Sequence, residues 1–223
     1  MSLNLHYQEL TCLPDEGISV GFLMGRVMNQ IHLGLVNLTA SQADCPVGLS
    51  FPQYRDRAQL RGQVRGQARE HSNADASNAL IAGLPPIGGK IRCFSQDAET
   101  LDRFALHEVL SSMLDYVHLT SVRQLRRTNH GWAMYRRKQI KTSKDRLVRR
   151  RMKRHGMTEA EAAAALEGFD PRSCRLPYLD MKSHSTDQRF RLYVERVTDV
   201  NSFDSNWSFS TYGLSSQAAV PEF

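Results

Sequence analysis

The densest chemistry in this chain is cationic. From Arg136 to His155, 11 lysines and arginines stand against one acid, Asp145. From Arg149 to Arg154 five of six residues are basic. The whole chain carries 29 Lys and Arg against 23 Asp and Glu, a formal charge of +6, so outside that window 18 basic residues face 22 acidic ones. The basicity is therefore local, and a solvated helix face, which normally mixes signs, does not account for it. One-sign charge at this density is the footprint of a polyanion partner, above all a nucleic acid. Within the window Arg146, Arg150, Lys153 and Arg154 recur every three to four residues, with Arg149 beside them. Only Leu147, Val148 and Met152 offer an apolar stripe, so a helix here has a thin anchor and a broad cationic face.

A second kind of chemistry needs a proton acceptor. His32 follows a run of apolar residues at helical spacing, Leu23, Val27, Ile31, Leu35 and Leu38. It falls roughly 100° around the helix from the centre of that face, at the rim of the core. Imidazole titrates near neutral pH and suits acid–base work there, although a lone histidine in such a place is more often structural. In Lys182-Ser183-His184-Ser185-Thr186 a serine by itself reads as a turn residue, and Tyr212 by itself as a half-buried sheet residue. The four cysteines, Cys12, Cys45, Cys93 and Cys174, have no Cys-x-x-Cys spacing and read as buried thiols, neither a zinc site nor a disulfide framework.

Several elements must position these groups. Residues 5–11 read as a strand, Ile18 to Leu38 as a core-facing helix, Pro46 to Tyr54 as a strand in which Pro52 marks an end or an edge, and Lys90 to Phe94 as another strand. Ser95 is placed to cap a helix running to about Leu114, and Tyr116 to Val122 has strand composition. The order is βαββαβ, so the expected fold is α+β: an N-terminal ferredoxin-like domain, residues 1–127, with an insertion at about 58–89. A smaller C-terminal domain, residues 128–223, follows. It should hold an extended segment from Trp132 to Lys141, the arginine-rich helix from Lys144 to His155 between Ser143 and Gly156, and a helix opened by the Thr158-x-x-Glu161 capping box and ended at Gly168. Antiparallel strands complete it: a hairpin of Leu179 to Ser183 with Gln188 to Val197, in which Phe190, Leu192 and Val194 share a face, and an aromatic strand from Ser208 to Leu214. With 41% hydrophobic residues, no apolar run near the ~18 residues that span a bilayer and no secretory signal, a cytoplasmic protein is expected.

The segments IHLGLV (Ile31 to Val36), VGLSFP (Val47 to Pro52), RKQIK (Arg137 to Lys141), DRLVRRRMKRH (Asp145 to His155), KSHSTDQRFRLYV (Lys182 to Val194) and TYGLSS (Thr211 to Ser216) together resemble the CRISPR repeat-processing endoribonucleases of the type I-F system. The resemblance implies RNA as the polyanion: a CRISPR repeat stem-loop, cut at its 3′ base to mature CRISPR RNA. It implies His32, Ser183 and Tyr212 as catalytic residues. The attacking group would be the substrate's own 2′-hydroxyl, with no metal and no cofactor, leaving a 2′,3′-cyclic phosphate. Arg137 and Gln139 would read base edges, Phe190 would stack on the terminal base pair, and Ser185 would assist Ser183. Lys141, Arg146, Arg149, Arg150, Lys153 and Arg154 complete the expected RNA contacts. Retention of the product, in a surveillance complex with other protein subunits, is implied as well.

Two departures from the family pattern stand out: the 58–89 insertion, and Glu222 where the family usually places tryptophan, which leaves terminal packing open. A non-catalytic RNA- or DNA-binding subunit of a ribonucleoprotein complex is the alternative reading, and it would tolerate loss of His32 and Ser183. A metal-dependent nuclease fits less well, because no acidic cluster suited to magnesium is evident in the sequence.

Overall fold

The computed structural model describes residues 4–40, 44–55, 87–126, 131–140, 144–168, 176–198, 200 and 207–223, with backbone alone at 144–146. The chain is α+β, with helices and two antiparallel sheets. The first sheet joins β1 (His6–Cys12), β2 (Gly48–Ser50), β3 (Lys90–Ser95) and β4 (Val117–Leu119) in the order β2-β3-β1-β4, and β5 (Arg123–Gln124) also pairs with β1. The second joins β6 (Gly131–Lys138), β7 (Tyr178–Lys182), β8 (Arg189–Val197) and β9 (Val220–Glu222) in the order β7-β8-β6-β9. Among the described residues no helix is long and apolar enough to cross a membrane.

Helix α1 (Val20–Leu38) starts where the Ser19 side chain accepts a hydrogen bond from the Phe22 N–H. Leu23, Val27, Ile31 and Leu35 are buried along it, as their spacing requires. Residues of both sheets share the main core with this helix, among them Leu10, Cys93, Tyr135 and Leu192. At Gly25 the helix meets β7 so closely that a methyl group would overlap the Asp180 carbonyl oxygen. Gly25→Ala is therefore expected to destabilise the protein by about 1–3 kcal/mol despite alanine's better helix propensity. Thermal unfolding checks this, and an unchanged midpoint would show that the strand yields freely. Because β7 ends at Lys182, next to Ser183, the same contact sets the helix-to-hairpin distance.

Several elements differ from the sequence reading. Ser95 remains the last residue of β3, paired with His6, and Asp97 caps the next helix through a bond from the Thr100 N–H. That helix does not run to Leu114: Ala105 takes a left-handed conformation at φ 46°, separating α2 (Ala98–Phe104) from α3 (Leu106–Val109), and a 3-10 turn over Ser111–Tyr116 follows. Only Gly48–Ser50 and Val117–Leu119 of the two longer expected strands enter the ladder. Ser208 to Leu214 is no strand. Phe209 makes an isolated bridge to Cys45, and Gly213, at φ 65°, closes a tight turn by donating its N–H to the Ser210 carbonyl.

The terminal strand β9 was not foreseen. It lies at a sheet edge, where Pro221 can do without a donor. Glu222 there accepts hydrogen bonds from the Tyr135 hydroxyl and the Arg196 guanidinium, and the Phe223 ring packs edge-on against Tyr7 and Phe94. Burial first, and then the Glu222 carboxylate, push the Tyr135 phenol up, so it remains a neutral donor.

Helix α4 (Lys144–His155) is followed by Gly156 at φ 62°, and α5 (Glu159–Ala164) carries the complete Thr158–Glu161 capping box. Val148, Ala162 and Leu166 bury one another in a cluster separate from the main core. Cys12, Cys45 and Cys93 are buried free thiols, and burial pushes them up to about 12, 11 and 12, far from thiolate. Cys174, Lys141, the expected cap Ser143 and the insertion through residue 86 lie outside the described residues.

Candidate active site and nucleic-acid interface

His32 sits on α1 at half burial, and its Nδ1 lies 2.8 Å from the Thr211 carbonyl oxygen. A carbonyl oxygen only accepts, so Nδ1 carries the proton. The Nε2 of the neutral ring is then a lone pair able to take one. The Tyr212 ring lies flat on the imidazole, centroids 4.0 Å apart and planes within 3°. Both contacts come from the Ser210–Leu214 turn, which is fastened at several points. Cys45 and Phe209 exchange backbone hydrogen bonds, the Leu49 N–H donates to the Gly213 carbonyl, and the Ser215 N–H donates to the Tyr135 carbonyl. Gly213 combines its left-handed φ with a position against Leu49 that a Cβ would overlap. Segments far apart in sequence thereby fix one histidine tautomer.

Ser183 stands where β7 ends and the turn to β8 begins. Its N–H donates to the Gln188 carbonyl at 2.8 Å, its hydroxyl lies 3.3 Å from that of Ser185, and Thr186 donates to it at 3.4 Å. The Lys182 N–H donates to Asn29 Oδ1 at 3.3 Å, which ties this turn to α1. Asp187, at φ 57°, completes the turn, and its carboxylate lies 2.5 Å from Lys182 Nζ. His32, Ser183, Ser185, Phe190 and Tyr212 line one cleft of about 540 Å³. Ser183, Phe190 and Tyr212 also line a second of about 860 Å³, with Arg137, Gln139 and Arg189. The two clefts meet at those three shared side chains.

Strand alternation sorts the cations of β6. Arg136 and Lys138 point one way and share Glu195, at 2.8 and 3.3 Å, and the Arg136 guanidinium beside it holds the Glu195 carboxyl below the usual carboxylate range. Arg137 points the other way. Its guanidinium carbon stands 5.1 Å from the Tyr212 ring centre and 5.8 Å from that of Phe190. No carboxylate is paired with it among the described residues. Phe190 packs against the core on the same face of β8 as the buried Leu192 and Val194, yet reaches both clefts.

Of the residues singled out from sequence, His32, Ser183, Ser185, Tyr212, Arg137, Gln139 and Phe190 come together around these clefts. Arg149, Arg150, Lys153 and Arg154 do not; they are exposed on α4. Lys141 and the Arg146 side chain lie outside the described residues. The sequence reading missed the Thr211 carbonyl, because backbone acceptors carry no residue-type signal, and it missed Asn29 and Arg26, which stand three and six residues before His32. Among the described residues no three His, Cys, Asp or Glu side chains gather as metal ligands.

The chain matches the profile of the family described as "CRISPR-associated protein (Cas_Csy4)" over residues 7–84 and 82–223. It is 28% identical over 218 residues to a protein of Escherichia coli (strain UTI89 / UPEC) named "CRISPR-associated endonuclease Cas6/Csy4", covering 98% of this chain and 99% of that one. A protein of the same name from Pseudomonas aeruginosa (strain UCBPP-PA14) is likewise 28% identical, with the same coverage.

Proposed function

The chain belongs to the Csy4 family of CRISPR-associated proteins, and from that membership and the site's geometry we propose that it is an endoribonuclease that binds a CRISPR repeat stem-loop and cuts at its 3′ base. The single observation that carries the reading is the bond from His32 Nδ1 to the Thr211 carbonyl at 2.8 Å, which leaves Nε2 to act as a base. In the reaction Nε2 takes the proton of a ribose 2′-hydroxyl held by Ser183. The 2′-oxygen attacks the adjacent phosphorus and the bond to the 5′-oxygen breaks. That oxygen takes a proton from water as it leaves, the imidazolium returns its proton to solvent, and a 2′,3′-cyclic phosphate remains. Tyr212 keeps the imidazole in plane, and Ser185 supports the Ser183 hydroxyl.

Arg137 and Gln139 suit bidentate contacts to guanine and adenine, and Phe190 is placed to stack on the last base pair of the stem. Duplex RNA has a deep, narrow major groove, but the end of a short stem-loop relaxes that limit for a reading strand or helix. The α4 face supplies phosphate contacts, the residues before and after about 127 divide into a first and an RNA-binding domain, and the cut RNA stays bound in a complex with other subunits, in the cytoplasm. No metal or cofactor enters these steps.

The test is single-turnover cleavage of the repeat RNA in excess chelator, with a substrate carrying 2′-deoxy at the cut site as control. The wild type should cut the ribose substrate at an undiminished rate and leave the deoxy substrate whole. Cleavage only with added divalent metal would overturn the mechanism. Tight binding without cleavage under any condition would favour a non-catalytic binding subunit.

A further inference from the structure

The turn that fixes His32 hangs on strands of two different sheets. The Leu49 N–H of β2 holds the Gly213 carbonyl at 2.8 Å, and the Tyr135 carbonyl of β6 holds the Ser215 N–H at 2.9 Å. Thr211 stands midway between the anchors at Phe209 and Gly213, so the place of its carbonyl against His32 Nδ1 follows from how the two sheets are set together. Tyr135 meets this seam twice. Besides the carbonyl that holds the turn, its buried side chain reaches the chain just after β2: the ring packs edge-on to Phe51 with centroids 5.4 Å apart, and the hydroxyl lies 3.4 Å from the Phe51 carbonyl. The hydroxyl proton goes to Glu222 Oε1 at 2.5 Å. Arg196, opposite Tyr135 on β8, donates from Nε to the same oxygen at 2.7 Å and from a terminal nitrogen to Oε2. Glu222 belongs to β9, on the other side of β6, so one carboxylate ties β8, β6 and β9 together at the Tyr135 side chain.

We propose that Tyr135, held by Glu222, is a positioning residue for the cleavage reaction: it sets β6 against β2, and through them the Thr211 carbonyl that selects the His32 tautomer. For its effect on rate the inference rests on the endoribonuclease reading; for its effect on the imidazole it does not. A ring that loses the Thr211 acceptor can carry its proton on either nitrogen, and only the form with a bare Nε2 can take a proton from a 2′-hydroxyl. Neither Tyr135 nor Glu222 lines the clefts around His32, so their influence travels through the turn and not through contact with RNA. The carboxylate is largely shielded from water, which strengthens the bonds it makes.

The experiment compares the wild type, Tyr135→Phe, Glu222→Gln and the double variant by two readouts, at a temperature where thermal unfolding shows all four folded. The first is the nitrogen-15 spectrum of labelled histidine, which reports which nitrogen of His32 carries the proton. The wild type should show a protonated Nδ1 and a bare Nε2, and each variant a second population with the proton on Nε2. The second is single-turnover cleavage of the repeat hairpin at saturating enzyme. Each single variant should lose about tenfold in rate, short of the ~10²-fold that a 1 Å misplacement can cost, with hairpin affinity within about twofold of the wild type. The double variant should be no slower than the slower single one, because both changes cut the same link. A lower unfolding midpoint with the wild-type tautomer and rate would make the Tyr135–Glu222 contact purely structural and overturn the proposal. Additive losses in the double variant, or a loss of affinity in place of rate, would overturn it too. Failure of the endoribonuclease reading shows separately, as a repeat RNA left uncut by the wild type, and the tautomer readout then still decides whether Tyr135 positions the ring.

Discussion

Replacing His32 by alanine is expected to slow single-turnover cleavage of the repeat hairpin by about 10²-fold or more, while hairpin affinity stays within about twofold. The magnitude is that of a lost general base, typically ~10²- to 10⁴-fold. Its assignment to rate and not to binding follows from where the ring sits. Nδ1 is occupied by the Thr211 carbonyl and one face by Tyr212, so His32 has only Nε2 to offer, and a neutral nitrogen adds little to phosphate affinity. Half-buried at the rim of α1, the side chain leaves little cavity behind, and the fold should survive its loss. Added imidazole should restore part of the rate to His32→Ala, an effect a purely structural histidine would not show. Unchanged cleavage by the variant would remove His32 from the chemistry altogether.

This residue also marks the reach of sequence reasoning. The helical period of Leu23, Val27, Ile31 and Leu35 was enough to put His32 at the rim, because those side chains had to be buried and one helix face fixes the others. Alternation likewise put Phe190 on the face of Leu192 and Val194. What the sequence could not supply was which groups meet across long separations. The Thr211 carbonyl lies 179 residues from His32 and is identified only by a turn whose shape depends on Gly213 against Leu49. The same limit explains the misread segments. Composition made Ser208 to Leu214 a strand, but the demands of Cys45, Leu49 and Tyr135 on its backbone made it a fastened turn. Ser95 has a capping side chain, but its place in the ladder opposite His6 left the cap to Asp97.

The second large effect belongs to α4, and it should fall on binding where His32→Ala falls on rate. Replacing Arg150, Lys153 and Arg154 together by glutamine is expected to weaken hairpin affinity about 10³-fold or more, on the scale of three charge-assisted hydrogen bonds of about 1.5 kcal/mol or more each. The slope of log affinity against log salt should fall by close to three, about 0.9 for each duplex phosphate released. All three side chains are exposed, and the helix is anchored from its other face by Val148 against Ala162 and Leu166, a cluster separate from the main core. Glutamine keeps a good helix propensity, so the cost to folding is confined to the charges Lys153 and Arg154 bring to the last turn, about 0.3–1 kcal/mol each. At saturating enzyme the single-turnover rate should remain near that of the wild type, because none of the three lines the clefts around His32. A lost rate with unchanged affinity would mean that α4 acts on the cutting site itself. An affinity loss with no change in salt slope would mean that these residues do not hold phosphates.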